Sequence, residues 1–335
     1  MNFDFSEEQN FIREQASNFL AAECTPAVVR ASLESGDPFN RELWQKIVEL
    51  GWTAMAIPDE HGGLGLGYLE LCVIAEELGR VVAPVPFASS VYLATEAIKR
   101  FGSDAQKQQY LPRLASGDII GTLADCEGLG MPKVSLSAAG GKVSGEKVPV
   151  PDGASADIAV LSALDEAGAV RLYLVELDHD TVSRETIHSL DPSRPQARVT
   201  FADTPVSPLG EAHEQALAAL LDSAAVLIAF EQIGGCQAAM DMGMAYTKER
   251  YAFGRPVASF QAIKHKFADM YAALELSRSN AYYGAWALSC DAPDLPLAAA
   301  TARVSASESF WQISKENIQA HGGMGFTWEF DCHLY

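Results

Sequence analysis

The sequence predicts an α+β protein in which a small β domain separates two helical domains. Three observations predict it. Apolar residues recur at helical spacing through the first third of the chain. From Asp118 to about Pro208 they switch to short alternating runs punctuated by Gly140-Gly141, Asp152-Gly153 and Asp191-Pro192. Helical spacing then returns near Glu211 and continues to the end. The expected domains are therefore 1–117 (helical), 118–209 (β, a barrel or sandwich) and 210–335 (a helical bundle).

With 335 residues the chain is long enough for two or three domains, and 48% hydrophobic residues exclude a disordered chain. The net charge of −20, with no basic run to offset it, argues against nucleic acid and anionic membrane surfaces as partners. A few local Arg and Lys can still hold a small anion. Six cysteines (Cys24, Cys72, Cys126, Cys236, Cys290, Cys332) are scattered singly, so reduced thiols in a cytoplasmic protein are expected, and no metal site. No signal peptide and no stretch long enough to span a bilayer are expected.

Each segment has its own local reasons. Ser6-Glu7-Glu8-Gln9 is a capping-box pattern ahead of the stripe Phe11, Ile12, Ala16, Phe19, Leu20. Leu43, Trp44, Ile47 and Val48 mark a second helix stopped by Gly51. Ile57 to Gly65 is a loop, because its glycines oppose a helix interior. Its Gly-x-Gly spacing is not a dinucleotide fingerprint, since no strand precedes it. Leu69 to Leu78 and Val91 to Phe101 are further helices, followed by a cap, a short helix and a turn over Gly102 to Gly117.

The last third is expected to carry the chemistry. Leu221 to Tyr246 is rich in small residues almost all round, as in a helix buried in a close-packed bundle. It ends in Glu249-Arg250-Tyr251-Ala252-Phe253-Gly254, with a Gly254-Arg255-Pro256 turn. Phe260, Ile263, Phe267, Met270 and Leu274 then recur as a stripe facing a partner helix. A cation at Arg250 suits the negative end of the helix dipole, and its fork can grip a phosphate bidentately. Pro296 to Gln319 is a third helix, running into Gln319-Ala320-His321-Gly322-Gly323-Met324-Gly325-Phe326. Glycines there let backbone N–H groups approach an anion or a ring edge. His321 on such a turn reads as a hydrogen-bonding neighbour.

Arg-x-x-Phe-Gly followed by Phe-Gln-x-Ile-x-x-Lys resembles the flavin-contacting segment of the acyl-CoA dehydrogenase family. The Ile-Pro-x-x-x-Gly-Gly-Leu-Gly loop, the Gly102 to Gly117 segment and the Gly-Gly-x-Gly turn are similar to that family too, so the resemblance covers nearly the whole chain. It implies an N-terminal helical domain, a middle β-barrel or sandwich and a C-terminal four-helix bundle. It implies FAD, with Arg250, Phe253, Gln261, Gln319, Gly322 and Gly323 as contacts, several of them reaching the cofactor of a neighbouring subunit. It also implies α,β-dehydrogenation of an acyl-CoA thioester, with an electron-transfer flavoprotein or similar acceptor.

The sequence departs from the family pattern in three places. Where the family carries Thr-Glu-Pro-x-x-Gly-Ser, this chain reads Ala124 to Pro132 without the Pro and Ser in place. After Gly145-Glu146-Lys147, Val148-Pro149-Val150 supplies no aromatic residue, and Pro149 cannot donate a ladder hydrogen bond. The third departure concerns the base that takes the α-proton. One family position for this glutamate falls beyond Tyr335; the other is Ala224 here. Glu231, two turns on and roughly on the same face, is the candidate base, with a structural hydrogen bond or ion pair as its competing role. The ending Cys332-His333-Leu334-Tyr335, where the family begins a further helix, implies a truncated or short-form member. The chain thus resembles the smaller subunit of bacterial two-chain acyl-CoA dehydrogenases of steroid side-chain degradation. The expected assembly is a hetero-oligomer with a longer homologous subunit or a homo-oligomer. A related flavin monooxygenase and a flavin-binding scaffold are the competing readings.

Overall fold

The computed structural model describes residues 5–128, 134–210 and 212–335. Helices α1 (Glu7–Glu23), α2 (Pro26–Ser35), α3 (Arg41–Glu49), α4 (Tyr68–Arg80), α5 (Glu96–Phe101) and α6 (Asp104–Ala115) come first. Strands β1 (Gly121–Ala124), β2 (Ala138–Ala139), β3 (Lys142–Pro151), β4 (Ile158–Leu164), β5 (Val170–Glu176), β6 (Val182–Ile187), β7 (Gln196–Pro205) and β8 (Ser207–Pro208) follow. Helix α7 (Ala216–Glu249), a hairpin of β9 (Tyr251–Ala252) and β10 (Arg255–Pro256), α8 (Gln261–Ser289) and α9 (Leu295–His321) complete the chain. The helix–strand–helix order is the one the sequence predicts. By contact the chain forms two compact units: Met1–Arg30 with Tyr68–Ala83 and Ala225–Tyr335, and Ala31–Gly67 with Pro84–Ala224.

The second unit holds the strands, in two four-stranded sheets ordered β1-β4-β5-β8 and β2-β3-β7-β6. Among the described residues, every pairing between these strands is antiparallel except β1 with β4. Strand β4 is buried along nearly its whole length and reads accordingly as an apolar run interrupted by Ser162. Strand β7 instead alternates buried Ala197, Val199 and Phe201 with exposed neighbours. Ile57, Ile98, Leu111, Leu123, Val160 and Leu174 share one core with the helices of this unit. The β3–β7 register breaks between Lys147 and Val150, where Pro149 follows a cis bond. The Val148 N–H bonds the Cys126 carbonyl (2.8 Å), and Pro149 lies in the register break, where it has no partner on β7. Of the altered Ala124 to Pro132 segment, Leu129 to Pro132 lie outside the described residues, as does Glu211.

The first unit gathers α1, α4 and the long helices around tight crossings. The Ser6–Gln9 capping box forms at the start of α1 as expected. Helices α4 and α7 meet at glycines: a Cβ on Gly79 would stand 1.9 Å from the Glu231 carbonyl oxygen, and one on Gly234 1.9 Å from that of Glu76. Neither position has room for a methyl group. Gly234→Ala is expected to push the helices apart at a cost of about 1–3 kcal/mol. A lower urea midpoint at unchanged m-value would register it, and an unchanged midpoint would refute the crossing. Of the predicted α8 stripe, Met270 and Leu274 are buried while Phe260, Ile263 and Phe267 stay partly exposed.

Three sequence expectations are corrected here. Helix α7 is long and apolar enough to cross a membrane by length and composition, although no such stretch was expected. Its Val226, Leu227, Phe230 and Ile233 are buried within protein, which accounts for its apolarity. Val91 to Phe101 is not one α-helix: Ala88–Thr95 is π-helical and only Glu96–Phe101 is α. Helix α2 was not foreseen, because Val29 is its one wholly buried residue and leaves no periodic stripe. All six cysteines are free, and burial pushes the Cys24 and Cys236 thiols up to about 12, leaving them unreactive.

Candidate cofactor-binding site

Arg250 follows the last residue of α7, its N–H still bonded to the Tyr246 carbonyl (2.8 Å). The chain then reverses. Tyr251 pairs with Pro256 and Ala252 with Arg255, leaving Phe253 and Gly254 as the two-residue loop. Both have positive φ, 52° and 79°, as a type I′ hairpin demands. The expected Gly-Arg-Pro turn is thus a hairpin whose tip begins one residue earlier. For a phenylalanine this backbone is strained by about 1–3 kcal/mol, a cost that clusters at ligand clamps. Phe253 is also 97% exposed. Its ring meets Phe260 edge-on at 6.3 Å, and the Arg255 guanidinium lies 4.0 Å from the Phe260 ring centroid. These contacts fix the hairpin to the start of α8, where exposed Gln261 sits with its amide nitrogen 3.5 Å from His265 Nε2.

Helix α9 brings the second motif to the same place. It ends at His321, and Gly322 (φ 61°) turns the chain while its N–H bonds the Gln319 carbonyl at 3.1 Å. Tyr246, Arg250, Ala252, Val257, His321, Gly322 and Gly323 line one open cleft of about 400 Å³. The sequence-predicted Arg250, Gly322 and Gly323 therefore share a site although some 70 residues separate them in the chain (323 − 250 = 73). Added Cβ atoms on Gly322 and Gly323 would meet nothing within 4 Å, so this wall is bare backbone facing open space. No side chain among the described residues pairs with the exposed Arg250 guanidinium. Gln319 is exposed on the last turn of α9 and does not line the cleft. Phe253 and Gln261 do not line it either, but stand on the hairpin tip and at the α8 start beside it.

His321 is part of the wall's foundation. It is 4% exposed, its Nδ1–H bonds the Asn317 carbonyl at 2.9 Å, and its ring stacks on Tyr246 at 4.2 Å. Phe330 closes against both rings. Tyr246 was missed from the sequence, though its place one helical turn before Arg250 is the signal that puts both on one face.

Glu231 sits elsewhere. Nineteen residues before Arg250 on the same helix, it is about 28 Å away along the axis. It is 8% exposed, and its charge acts on Arg303, whose guanidinium burial disfavours in charged form and Glu231 sustains. Arg303 also bonds the Gln232 side chain and Ser307 Oγ (2.7 Å).

The comparisons with known proteins agree with this architecture. Residues 6–118 match the acyl-CoA dehydrogenase N-terminal domain and residues 214–335 its C-terminal domain. The acyl-CoA dehydrogenase IpdE2 of Mycobacterium tuberculosis is 32% identical over 331 residues, covering 98% of this chain and 90% of that protein. The solved Tcur3481-Tcur3483 steroid ACAD G363A variant is 30% identical, with a TM-score of 0.90 over 98% of this chain and 91% of its own. The ChsE4-ChsE5 complex from Mycobacterium tuberculosis is 26% identical, with a TM-score of 0.92 over 100% of this chain and 92% of its own. The chain belongs to the acyl-CoA dehydrogenase family. Proteins of this family are oxidoreductases acting on CH–CH groups, and its members bind FAD.

Proposed function

We propose that this chain binds FAD and takes part in the α,β-dehydrogenation of an acyl-CoA thioester, as the partner subunit of a two-chain enzyme. The observation that carries the reading is the cleft in which an uncommitted guanidinium faces a bare Gly322–Gly323 backbone. That pairing suits a diphosphate: the fork supplies charge-assisted bonds, and the glycines let an anion approach the main chain. About 400 Å³ lies toward the small end of ligand sites and suits only part of a dinucleotide. The rest of the cofactor would lie against another subunit, toward which the strained, exposed Phe253 would project. Gln261 and Gln319 are assigned as polar contacts on the same rim.

Bound FAD would supply the acceptor for the β-hydride, and a carboxylate must take the α-proton. Glu231 is a poor carboxylate for that task, only 8% exposed and with its charge acting on Arg303. We assign it a structural role and place the base in a longer homologous partner. Relatives solved as two-named assemblies support that composition. An electron-transfer flavoprotein or similar carrier is the proposed acceptor, and the cytoplasm the proposed compartment.

Arg250→Ala tests the cofactor assignment. Losing one charge-assisted contact of about 1.5–3 kcal/mol should weaken FAD retention roughly 10- to 150-fold. Flavin occupancy equal to the unaltered assembly after dialysis would refute it.

A further inference from the structure

The chain does not leave the cleft after Gly323. It folds back over the end of α9, and Gly325 allows this. A Cβ there would stand 2.5 Å from the Ile318 carbonyl oxygen and 2.7 Å from His321 Cβ. The return brings Phe330 onto the two rings that stack beneath the cleft. Its ring meets Tyr246 edge-on at 5.9 Å and 86°, and His321 at 5.7 Å and 64°. Contacts of this kind depend on ring geometry as well as on buried area.

One guanidinium holds Phe330 in place. Arg30, on α2, donates from Nη2 to the Phe330 carbonyl (2.9 Å) and from Nε to Asp331 Oδ1 (2.9 Å). Its Cζ also lies 4.7 Å from the Trp328 ring centroid. The Arg30 side chain is only 18% exposed, unlike a solvated surface cation. A fork that meets a carbonyl, a carboxylate and an aromatic face at once is a use of arginine that lysine does not reproduce.

The gap between two helix ends is what this grip acts on. Tyr246 lies on α7 one turn before Arg250, and His321 directly precedes Gly322 at the end of α9. The stack of their rings at 4.2 Å sets how far the guanidinium of Arg250 stands from the glycine backbone. Phe330 closes against that stack, and Arg30 holds Phe330 down. Arg30 itself does not line the cleft.

We propose that Arg30 is a positioning residue for the diphosphate site: through Phe330 it fixes the Tyr246–His321 stack, and with it the gap between Arg250 and the Gly322–Gly323 backbone. The inference rests on the FAD reading above and adds to it a control point outside the cleft.

A double-mutant cycle on the purified two-chain assembly tests it. Arg30→Met keeps the reach of the side chain and removes the fork. It should weaken FAD binding about ten-fold at unchanged far-ultraviolet circular dichroism, and Phe330→Leu should do the same. Because both act through one contact, the double variant should bind within about two-fold of either single variant, not about a hundred-fold below the unaltered chain. Arg30→Lys should fall between, since one ammonium cannot hold carbonyl and carboxylate in the same geometry. Should Arg30→Met fail to fold, Arg30→Lys carries the same cycle. The fluorine resonance of para-fluorophenylalanine placed at position 330 needs no cofactor, and it should shift or broaden when Arg30 is replaced. An unaltered assembly without flavin would refute the FAD reading, while a displaced fluorine signal would still uphold the grip on Phe330. Unchanged FAD affinity in the Arg30 variants, additive losses in the double variant, or a fluorine resonance that does not move would each overturn the proposal.

Discussion

Replacing Lys147 by methionine is expected to destabilise the β-bearing unit by about 3–5 kcal/mol. Lys147 is wholly buried, and its ammonium donates to Glu127 Oε1 (2.6 Å), Ser162 Oγ (3.2 Å) and the Asp125 carbonyl (3.3 Å). Glu127 in turn accepts from the Ser135 N–H (2.8 Å), the Ser135 hydroxyl and the Leu136 N–H (3.0 Å). One ion pair thus ties the end of β1, the segment before β2, and strands β3 and β4 together. Removing the lysine leaves a carboxylate with little solvent and no counter-ion, which is the costly kind of change. Burial alone would raise the Glu127 carboxyl, but the bonds from Lys147, Ser135 and Leu136 outweigh it and bring it to about 2. Burial lowers Lys147, and Glu127 restores only part of that. The pair therefore costs solvation to keep, so Lys147→Met with Glu127→Gln should be milder than Lys147→Met alone. The pH dependence follows from Glu127. Its folded value lies below the unfolded value of about 4.3. The stabilisation is complete above about pH 4–5 and is lost as pH falls toward about 2. Urea midpoints at neutral pH check the first claim. A loss under about 1 kcal/mol would show that the pair does not hold these segments.

Turnover of acyl-CoA is expected to rise about 10²–10⁴-fold when a longer homologous partner joins the chain. That range is what a positioned acid–base group contributes. Within the chain, the α7 carboxylate in question is Glu231, whose charge acts on Arg303, and Ala224 has no proton to exchange. Glu231→Gln separates the possibilities without disturbing the cleft about 28 Å along the helix axis. It is expected to change the assembly's turnover only a few-fold while FAD stays bound. Brisk turnover by the chain alone, abolished by Glu231→Gln with FAD retained, would instead make Glu231 the base.

Much of the fold was legible because local signals and tertiary packing agree. Ser6-x-x-Gln9 caps α1, Val170 to Glu176 forms β5 although Leu172 to Val175 are all buried instead of alternating, and the small residues of α7 let α4 approach to a carbonyl's width at Gly79 and Gly234. What was missed depends on geometry that no window of sequence carries. The π-helical Ala88–Thr95 has the composition of an ordinary helix, since only its hydrogen-bond spacing differs. The Lys147–Glu127 pair joins residues 20 apart, and nothing local marks Lys147 as buried. At the candidate site, composition and spacing led to Arg250 and to the glycines separately, and the family resemblance joined them. The positive φ of Phe253 is a property of the hairpin and was invisible until β9 and β10 paired. Tyr246 and His321 stack beneath the cleft through the crossing of two helix ends, a contact that residue patterns do not encode.

The central claim is that this chain holds FAD for acyl-CoA oxidation in an assembly with a homologous subunit. The direct measurement is the absorbance of bound flavin in the purified two-chain assembly when acyl-CoA is added without oxygen. The flavin is expected to bleach with the assembly and slowly or not at all with this chain alone. Arg250→Ala is expected to lower the amount of flavin present to be bleached. An assembly that purifies without flavin, or whose flavin stays oxidised across a panel of acyl-CoA thioesters, would contradict the central claim.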